Sequence, residues 1–128
     1  MTFQREAGGG SRNVDIRQAI ADATAQLSAA GIHSARVDAE LLAAHAAGVD
    51  RGLLAVAEPD AEFAGRYGAL VGRRAQRIPL QHIMETAAFG PLTLHVGPGV
   101  FIPRPETESL LEWALGQRLS PTPVIIDL

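Results

Sequence analysis

The chain has 128 residues, of which 47% are hydrophobic, and its formal net charge is −3. This length supports one modest core, or one small domain and the beginning of another, and the negative charge argues against general nucleic-acid binding. With no cysteine there can be no disulfide or thiolate metal site, and no apolar run approaches the roughly 20 residues that a membrane-spanning helix needs.

The first 12 residues contain Gly8, Gly9 and Gly10 and show no apolar periodicity. Ordering such a segment costs backbone entropy and buries little surface in return, so we predict a flexible leader over residues 1–12. The N-terminus also lacks the apolar centre of a signal peptide, and a cytoplasmic protein without a membrane anchor is therefore expected.

Two helices are predicted next. Asn13 is a good N-cap, apolar residues recur at spacings of three and four through residues 16–27, and Gly31 provides a left-handed stop. Ser34 is expected to cap a second helix, which Gly48 closes in the same way.

The helical pattern continues for about 35 more residues. Asp50 opens a short third helix through Ala57, and Asp60 is expected to cap a fourth helix that reaches about Arg77. Residues 78–83 contain Pro79 and predict a bent connector or a last short helix. Residues 13–85 are therefore predicted to form a small helical bundle.

The organisation changes at residue 86. Residues 86–89 and 92–96 are short strand-like runs around Gly90 and Pro91. A β-hairpin joint over residues 86–103 is the simplest interpretation, and the predicted fold class is α+β.

Residues 104–128 resemble the start of an α/β domain. Pro105 suits the first turn of a helix, because it has no amide hydrogen to leave unpaired. Residues 110, 111, 114 and 115 are predicted to form the buried stripe of this helix, with Trp113 at its edge. Residues 124–126 are an apolar run typical of a parallel strand that is buried on both faces.

One face of the fourth predicted helix is basic. Arg66, Arg73 and Arg77 follow one another at spacings of seven and four, and Arg74 lies beside them. Such a face could attract RNA or an acidic protein surface, but a solvated helix face is the commoner role of short charge clusters.

The histidines do not indicate a metal site. They show no ligand spacing such as i, i+4, and no cysteine accompanies them, so we expect no bound metal. The four are His33, His45, His82 and His95.

Several segments together resemble the bacterial peptide chain release factor glutamine methyltransferases, over residues 14–128. They are the helical bundle, the run 77–83 (RIPLQHI), Phe89-Gly90, the run 99–108 (GVFIPRPETE) and the run 124–128 (VIIDL). The segment Ile-Pro-Arg-Pro-Glu-Thr-Glu is the most specific part of the resemblance.

The resemblance implies a fold and an activity. Members of this family join an N-terminal helical domain through a β-hairpin to a class I, Rossmann-like methyltransferase domain that uses S-adenosylmethionine. They methylate the side-chain amide of the glutamine in the Gly-Gly-Gln motif of release factors. Residues 13–85 would then dock the release factor, and residues 104–128 would be the first helix and strand of the methyltransferase domain. Peptide chain release factors would be the partners of a monomeric enzyme.

The resemblance also implies cofactor contacts. Phe101 would be an apolar wall of the cofactor pocket, although it could equally be hairpin core. Arg104 would face the cofactor or substrate, or pair with Glu106 or Glu108 nearby, and Thr107 would contact the cofactor or cap its own helix. Asp127 would anchor the amides of the cofactor loop.

The family's glycine-rich cofactor loop and its Asn-Pro-Pro-Tyr motif do not occur within residues 1–128. An amide nitrogen is a poor nucleophile, so the enzyme must hold its hydrogens with acceptors and align it with the sulfonium methyl group. We therefore expect no catalytic residue in this chain and no methyl transfer by it alone. The alternatives are a freestanding helical module that binds RNA or protein, and a fragment of a nucleic-acid amino-methyltransferase.

Overall fold

The computed structural model describes residues 14–126 and residue 128. The protein is mostly helical with one two-stranded antiparallel sheet, and is thus an α+β chain. It divides into two compact units, of which the first ends at Met84 and the second begins at Glu85. Within the described residues, no helix has both the length and the apolar character that crossing a membrane requires.

The first unit, which we call the helical unit, is built from five helical segments. They are helix α1 (Ile16–Ala29), helix α2 (Ala35–Ala47), a 3₁₀ helix (Arg51–Val56), helix α3 (Phe63–Ala75) and the short helix α4 (Leu80–Met84). Helix α2 packs against α1, α3 and the 3₁₀ helix, and it is therefore the central element of the unit.

The cap of α1 differs from the prediction. Asp15 is the N-cap, and its carboxylate accepts hydrogen bonds from the backbone N–H groups of Arg17 at 2.9 Å and Gln18 at 3.4 Å. The predicted cap, Asn13, lies outside the described residues and two positions before this cap. A carboxylate at this position satisfies free amides and also suits the positive end of the helix dipole, so Asp15 is the better cap.

The predicted helix stops are confirmed. Gly48 is the C-cap of α2 with φ of 67°, and Gly31 has φ of 77° directly after the C-cap of α1. These left-handed conformations favour glycine, which has no Cβ. Ser34 is the N-cap of α2 as predicted, although its side chain makes no capping hydrogen bond.

The start of α3 is later than predicted. Asp60 does not cap the helix itself; its carboxylate accepts the backbone N–H of Glu62 at 3.1 Å, within the turn that precedes Phe63. The competing structure is an Asx-type turn, which the aspartate side chain stabilises as readily as a helix start.

The core of the helical unit is assembled from one face of each helix. Leu27, Leu42 and Phe63 are fully buried, and they come from α1, α2 and α3 respectively. The rings of Phe63 and Tyr67 stack with their centroids 5.3 Å apart. The Tyr67 hydroxyl donates a hydrogen bond of 2.9 Å to the carbonyl oxygen of Ala39, so α3 is tied to α2 by a polar contact inside an apolar core.

The buried tyrosine makes the stability of this unit depend on pH. Burial raises the pKa of Tyr67 from 10.0 to about 12. Between those two pH values the folded chain keeps the phenolic proton and the unfolded chain loses it, so the free energy of unfolding falls as the pH rises, by up to about 1.4 kcal/mol per pH unit. Because Tyr67 is the only tyrosine, the tyrosinate absorbance band reports on it alone. We expect its midpoint near 12 in buffer and near 10 in urea, and equal midpoints would contradict the burial of this hydroxyl.

The second unit contains the predicted hairpin. Strands β1 (Thr86–Phe89) and β2 (Leu92–His95) pair antiparallel, with Thr86 opposite His95 and Phe89 opposite Leu92. Gly90 has φ of 55° in the two-residue turn, as tight hairpins require.

Helix α5 (Pro105–Leu115) follows the hairpin and has Pro105 in its first turn, as predicted. The predicted buried stripe is wrong, because no residue of α5 is buried and the side chains of Leu110, Trp113 and Leu115 are each about two-thirds exposed. Of the four residues of the predicted stripe, only Leu111 is partly buried, close to Gly90. The periodicity identified the apolar side of the helix, but among the described residues no sheet covers it.

The predicted strand at residues 124–126 is also wrong for this chain. These residues form no strand, and the side chains of Val124, Ile125 and Ile126 are largely exposed. A strand needs a hydrogen-bonding neighbour, and the part of the chain that the structure describes offers none beside these residues.

Candidate functional site

The residues predicted to contact the cofactor lie around the start of α5. Phe101 is in the segment before the helix with its side chain 83% exposed, Arg104 is the N-cap, and Thr107 is in the first turn. Arg104 makes no side-chain capping bond, while the backbone N–H of Thr107 donates to the carbonyl oxygen of Arg104 at 3.0 Å. Asp127 lies outside the described residues.

These three side chains do not enclose a cofactor on their own. Small-molecule sites are concave and bury most of their ligand, whereas Phe101, Arg104 and Thr107 are all exposed. None of them lines the clefts described below. Their assignment to the cofactor therefore stays a prediction, and no chemical step follows from their geometry.

The predicted basic face of α3 is mostly engaged within the chain. Arg66 donates to the carbonyl oxygen of Ala46 at 2.9 Å and pairs with Asp60 at 3.0 Å. Arg77 lies beyond the end of α3, which stops at Ala75 and so is shorter than predicted, and it donates to the carbonyl oxygen of Ala30 at 3.2 Å.

Arg74 is engaged more deeply than the other arginines of α3. Its Nε lies 2.7 Å from a carboxylate oxygen of Asp38, which is 4% exposed, and a second group of the guanidinium donates to the carbonyl oxygen of Ile78. Arg73 has no hydrogen-bond or ion-pair partner among the described residues. Acidic partners offset the charges of Arg66 and Arg74, which weakens this face as a binding surface for RNA.

Within residues 14–126 and at residue 128, no three histidine, aspartate, glutamate or cysteine side chains come together in a group that could hold a metal ion.

A charged cleft of about 560 Å³ opens between α1, α2 and the 3₁₀ helix. Its polar side chains are three arginines and one glutamate. Arg36 Nε donates to one carboxylate oxygen of Glu40 at 2.5 Å, and Arg51 donates to the other through Nε at 2.8 Å and through a terminal nitrogen at 2.5 Å. Arg17 lines the same cleft, and its guanidinium has no partner among the described residues.

The floor of this cleft is apolar. Ile16 and Ile20 of α1 and Leu54 of the 3₁₀ helix line it, and all three belong to the buried core of the helical unit. The cleft therefore combines a hydrophobic floor with a cationic rim.

The carboxylate of Glu40 is ionised at neutral pH and holds the rim in place. Hydrogen bonds from Arg36 and Arg51 keep the pKa of Glu40 below its usual 4.5. Its side chain is 18% exposed, against 64% for Arg36 and 48% for Arg51. The three guanidinium charges and this one carboxylate leave the cleft with a net charge of +2.

Sequence reasoning did not identify this cleft. Arg36 and Glu40 stand at i, i+4 on α2, which is the spacing of a helical ion pair and the only local signal. Arg51 joins them from 11 residues beyond Glu40, and Arg17 comes from another helix. Their convergence depends on tertiary packing.

Comparisons with known proteins identify relatives for this chain. The model of the PrmC N-terminal domain matches residues 18–84, which is just over half of the chain. A release factor glutamine methyltransferase of Mycolicibacterium smegmatis is 64% identical over 114 residues, covering 88% of this chain and 41% of the relative. One of Mycobacterium tuberculosis (strain H37Rv) is 58% identical and covers 88% and 37%, and one of Deinococcus radiodurans is 39% identical and covers 90% and 43%. The chain thus spans about two fifths of the length of these relatives.

Proposed function

The chain belongs to the PrmC N-terminal domain family, and from this premise we propose that it is the substrate-recognition part of a protein-glutamine methyltransferase. The proposed enzyme methylates the glutamine side-chain amide in the Gly-Gly-Gln motif of release factors in the cytoplasm. Its methyl donor is S-adenosylmethionine, which supplies an electrophilic methyl group. The predicted resemblance to release factor glutamine methyltransferases is confirmed by the relatives found.

The observation that carries this proposal is the helical unit itself. The family match over residues 18–84 coincides with a set of helices that share one core from Ile16 to Ile83. A rigid unit of this kind can hold a protein substrate against a separate catalytic domain, and orientation of that kind contributes strongly to catalysis.

Exposed apolar side chains in the second unit support the methyltransferase part of the proposal. Leu110, Trp113 and Leu115 on α5 and the run 124–126 are largely open to solvent. Apolar surface of this extent marks an interaction site in most soluble proteins. We propose that a Rossmann-like sheet covers it in the complete enzyme, with residues 104–128 as the first helix and strand of that domain.

A methylation assay tests the proposal. The chain is incubated with a release factor and S-adenosylmethionine, and the glutamine-containing peptide is followed by mass spectrometry. We expect no methylation by the chain alone, because the Asn-Pro-Pro-Tyr motif that would hold the amide hydrogens does not occur in its sequence.

The same assay with the M. smegmatis enzyme tests docking. Excess chain should raise the KM of that enzyme for the release factor and leave kcat unchanged, since both would compete for one docking surface. Methylation by the chain alone would overturn the assignment of inactivity, and an unchanged KM would contradict the docking role.

A further inference from the structure

We propose that the cleft between α1, α2 and the 3₁₀ helix binds an acidic segment of a partner protein, through a carboxylate flanked by apolar side chains. The proposal depends on the proposed function in one respect, namely that the helical unit docks a protein substrate.

The arginines that line the cleft have N–H donors that no group among the described residues uses. A guanidinium carries five N–H groups. Arg36 uses one nitrogen on Glu40 and Arg51 uses two, while Arg17 uses none among the described residues. The remaining groups belong to one rim, and guanidinium groups bind carboxylates through paired, charge-assisted hydrogen bonds.

Glu40 holds two of these arginines in position. Without it, three arginines on one rim would repel one another and adopt many rotamers. Its carboxylate engages Arg36 and Arg51 from the inside of the cleft, so less side-chain entropy remains to be lost when a ligand binds. Glu40 thus acts as a positioning residue for these two arginines.

The cleft favours a carboxylate ligand over phosphate or nucleic acid. The Glu40 carboxylate lies within the cleft and repels a dianion more strongly than a single carboxylate, and the whole chain is already negative at −3. The apolar floor of Ile16, Ile20 and Leu54 also offers nothing to a sugar-phosphate backbone. The carboxylate of an acidic residue is attracted by the net charge of +2 at this cleft, and Glu40 repels it less than it repels a dianion.

Apolar side chains also lie near the charged groups of the cleft. A second cleft, of about 620 Å³, also has Arg51 in its lining, together with Leu41, Leu53 and Met84 among others. Leu53 is 52% exposed, and Val56 on the same 3₁₀ helix is 77% exposed. Arg51 lines both clefts, so a segment whose carboxylate binds Arg51 has the apolar side chains of both clefts nearby.

A pair of short peptides tests this assignment without a release factor. Acetyl-Leu-Glu-Leu-amide and its isosteric control acetyl-Leu-Gln-Leu-amide are titrated into the isotopically labelled 128-residue chain, and amide shifts are recorded by NMR. Gly52 lines the cleft and provides a local reporter. We expect saturable shifts at Gly52 and its neighbours with the Glu peptide, and an affinity about tenfold lower for the Gln peptide, as loss of a charge-assisted hydrogen bond implies.

Arg17→Glu is the diagnostic variant, with Arg73→Glu as its matched control. The Arg17 side chain has no partner to lose among residues 14–126, and an acidic residue suits the first turn of α1, so the variant keeps its fold. We expect Arg17→Glu to weaken the Glu peptide about tenfold or more, and Arg73→Glu to leave it unchanged. Equal responses to the two peptides, equal behaviour of the two variants, or a response at Gly52 to inorganic phosphate alone would each overturn the proposal.

A release factor then separates this inference from the proposed function. Weaker release-factor binding by Arg17→Glu, but not by Arg73→Glu, supports both. Binding that is equally strong in both variants overturns the docking role of the cleft and leaves the proposed function standing. If the chain binds the Glu peptide at the cleft but does not bind a release factor, the carboxylate site is supported and the proposed function is contradicted.

Discussion

Replacing Phe63 by alanine is expected to lower the free energy of unfolding of the helical unit by about 4 kcal/mol. The side chain, at the start of α3, is fully buried in the core of the helical unit, and its ring stacks on Tyr67 with centroids 5.3 Å apart. Alanine would leave a cavity of nearly a whole ring and would also remove the stacking contact. Urea unfolding followed by far-UV circular dichroism measures the change, because the single tryptophan, Trp113, lies in the second unit and is exposed.

The control for this variant is the same substitution at an exposed position. Phe101 is 83% exposed, so Phe101→Ala should change the stability by no more than about 0.5 kcal/mol. Similar losses for both variants would mean that Phe63 is not the centre of the core.

Replacing Asp38 by asparagine should cost about 3 kcal/mol, because it leaves the Arg74 guanidinium without a countercharge in a buried place. Asp38 is 4% exposed, and the Arg74 side chain is 16% exposed at a distance of 2.7 Å. The slight exposure of Arg74 places the expected cost at the lower end of the range for broken buried pairs. Urea unfolding again measures it.

Two further variants sharpen this test. Asp22→Asn, on the exposed face of α1, should cost less than about 0.5 kcal/mol. The double variant Asp38→Leu with Arg74→Met should recover most of the loss, since an apolar pair leaves no unpaired charge. A double variant as unstable as Asp38→Asn would show that the shape of the pair matters more than its charge.

The sequence was informative where conformation is a property of one or two residues. Gly48 and Gly31 ended their helices as predicted, and Pro105 entered the first turn of α5. These residues act through their own backbone preferences, which neighbours seldom override. The hairpin around Gly90 was predictable for the same reason.

The sequence was less informative where a partner decides the outcome. The apolar stripe of α5 and the run 124–126 predicted burial, yet both are exposed. Hydrophobic pattern identifies the side that is suited to burial, but only a neighbouring element can cover it. A better cap at Asp15 explains the misplaced start of α1, and a competing Asx-type turn at Asp60 explains the misplaced start of α3.

The charged sites could not be predicted because their members are far apart in sequence. Asp38 and Arg74 are 36 residues apart, and the cleft joins residues from α1, α2 and the 3₁₀ helix. On the linear chain, Arg74 appeared as one member of a basic helix face. Its buried ion pair removes it from that face and makes it a structural residue.

The docking of a release factor by this chain is tested most directly by calorimetric titration at two temperatures, since the binding heat changes with temperature and cannot vanish at both. The account predicts a saturable one-to-one isotherm with the native chain, and an affinity about tenfold lower for Arg17→Glu. The absence of binding heat at both temperatures would contradict the central claim that this chain recognises the substrate of a release factor methyltransferase.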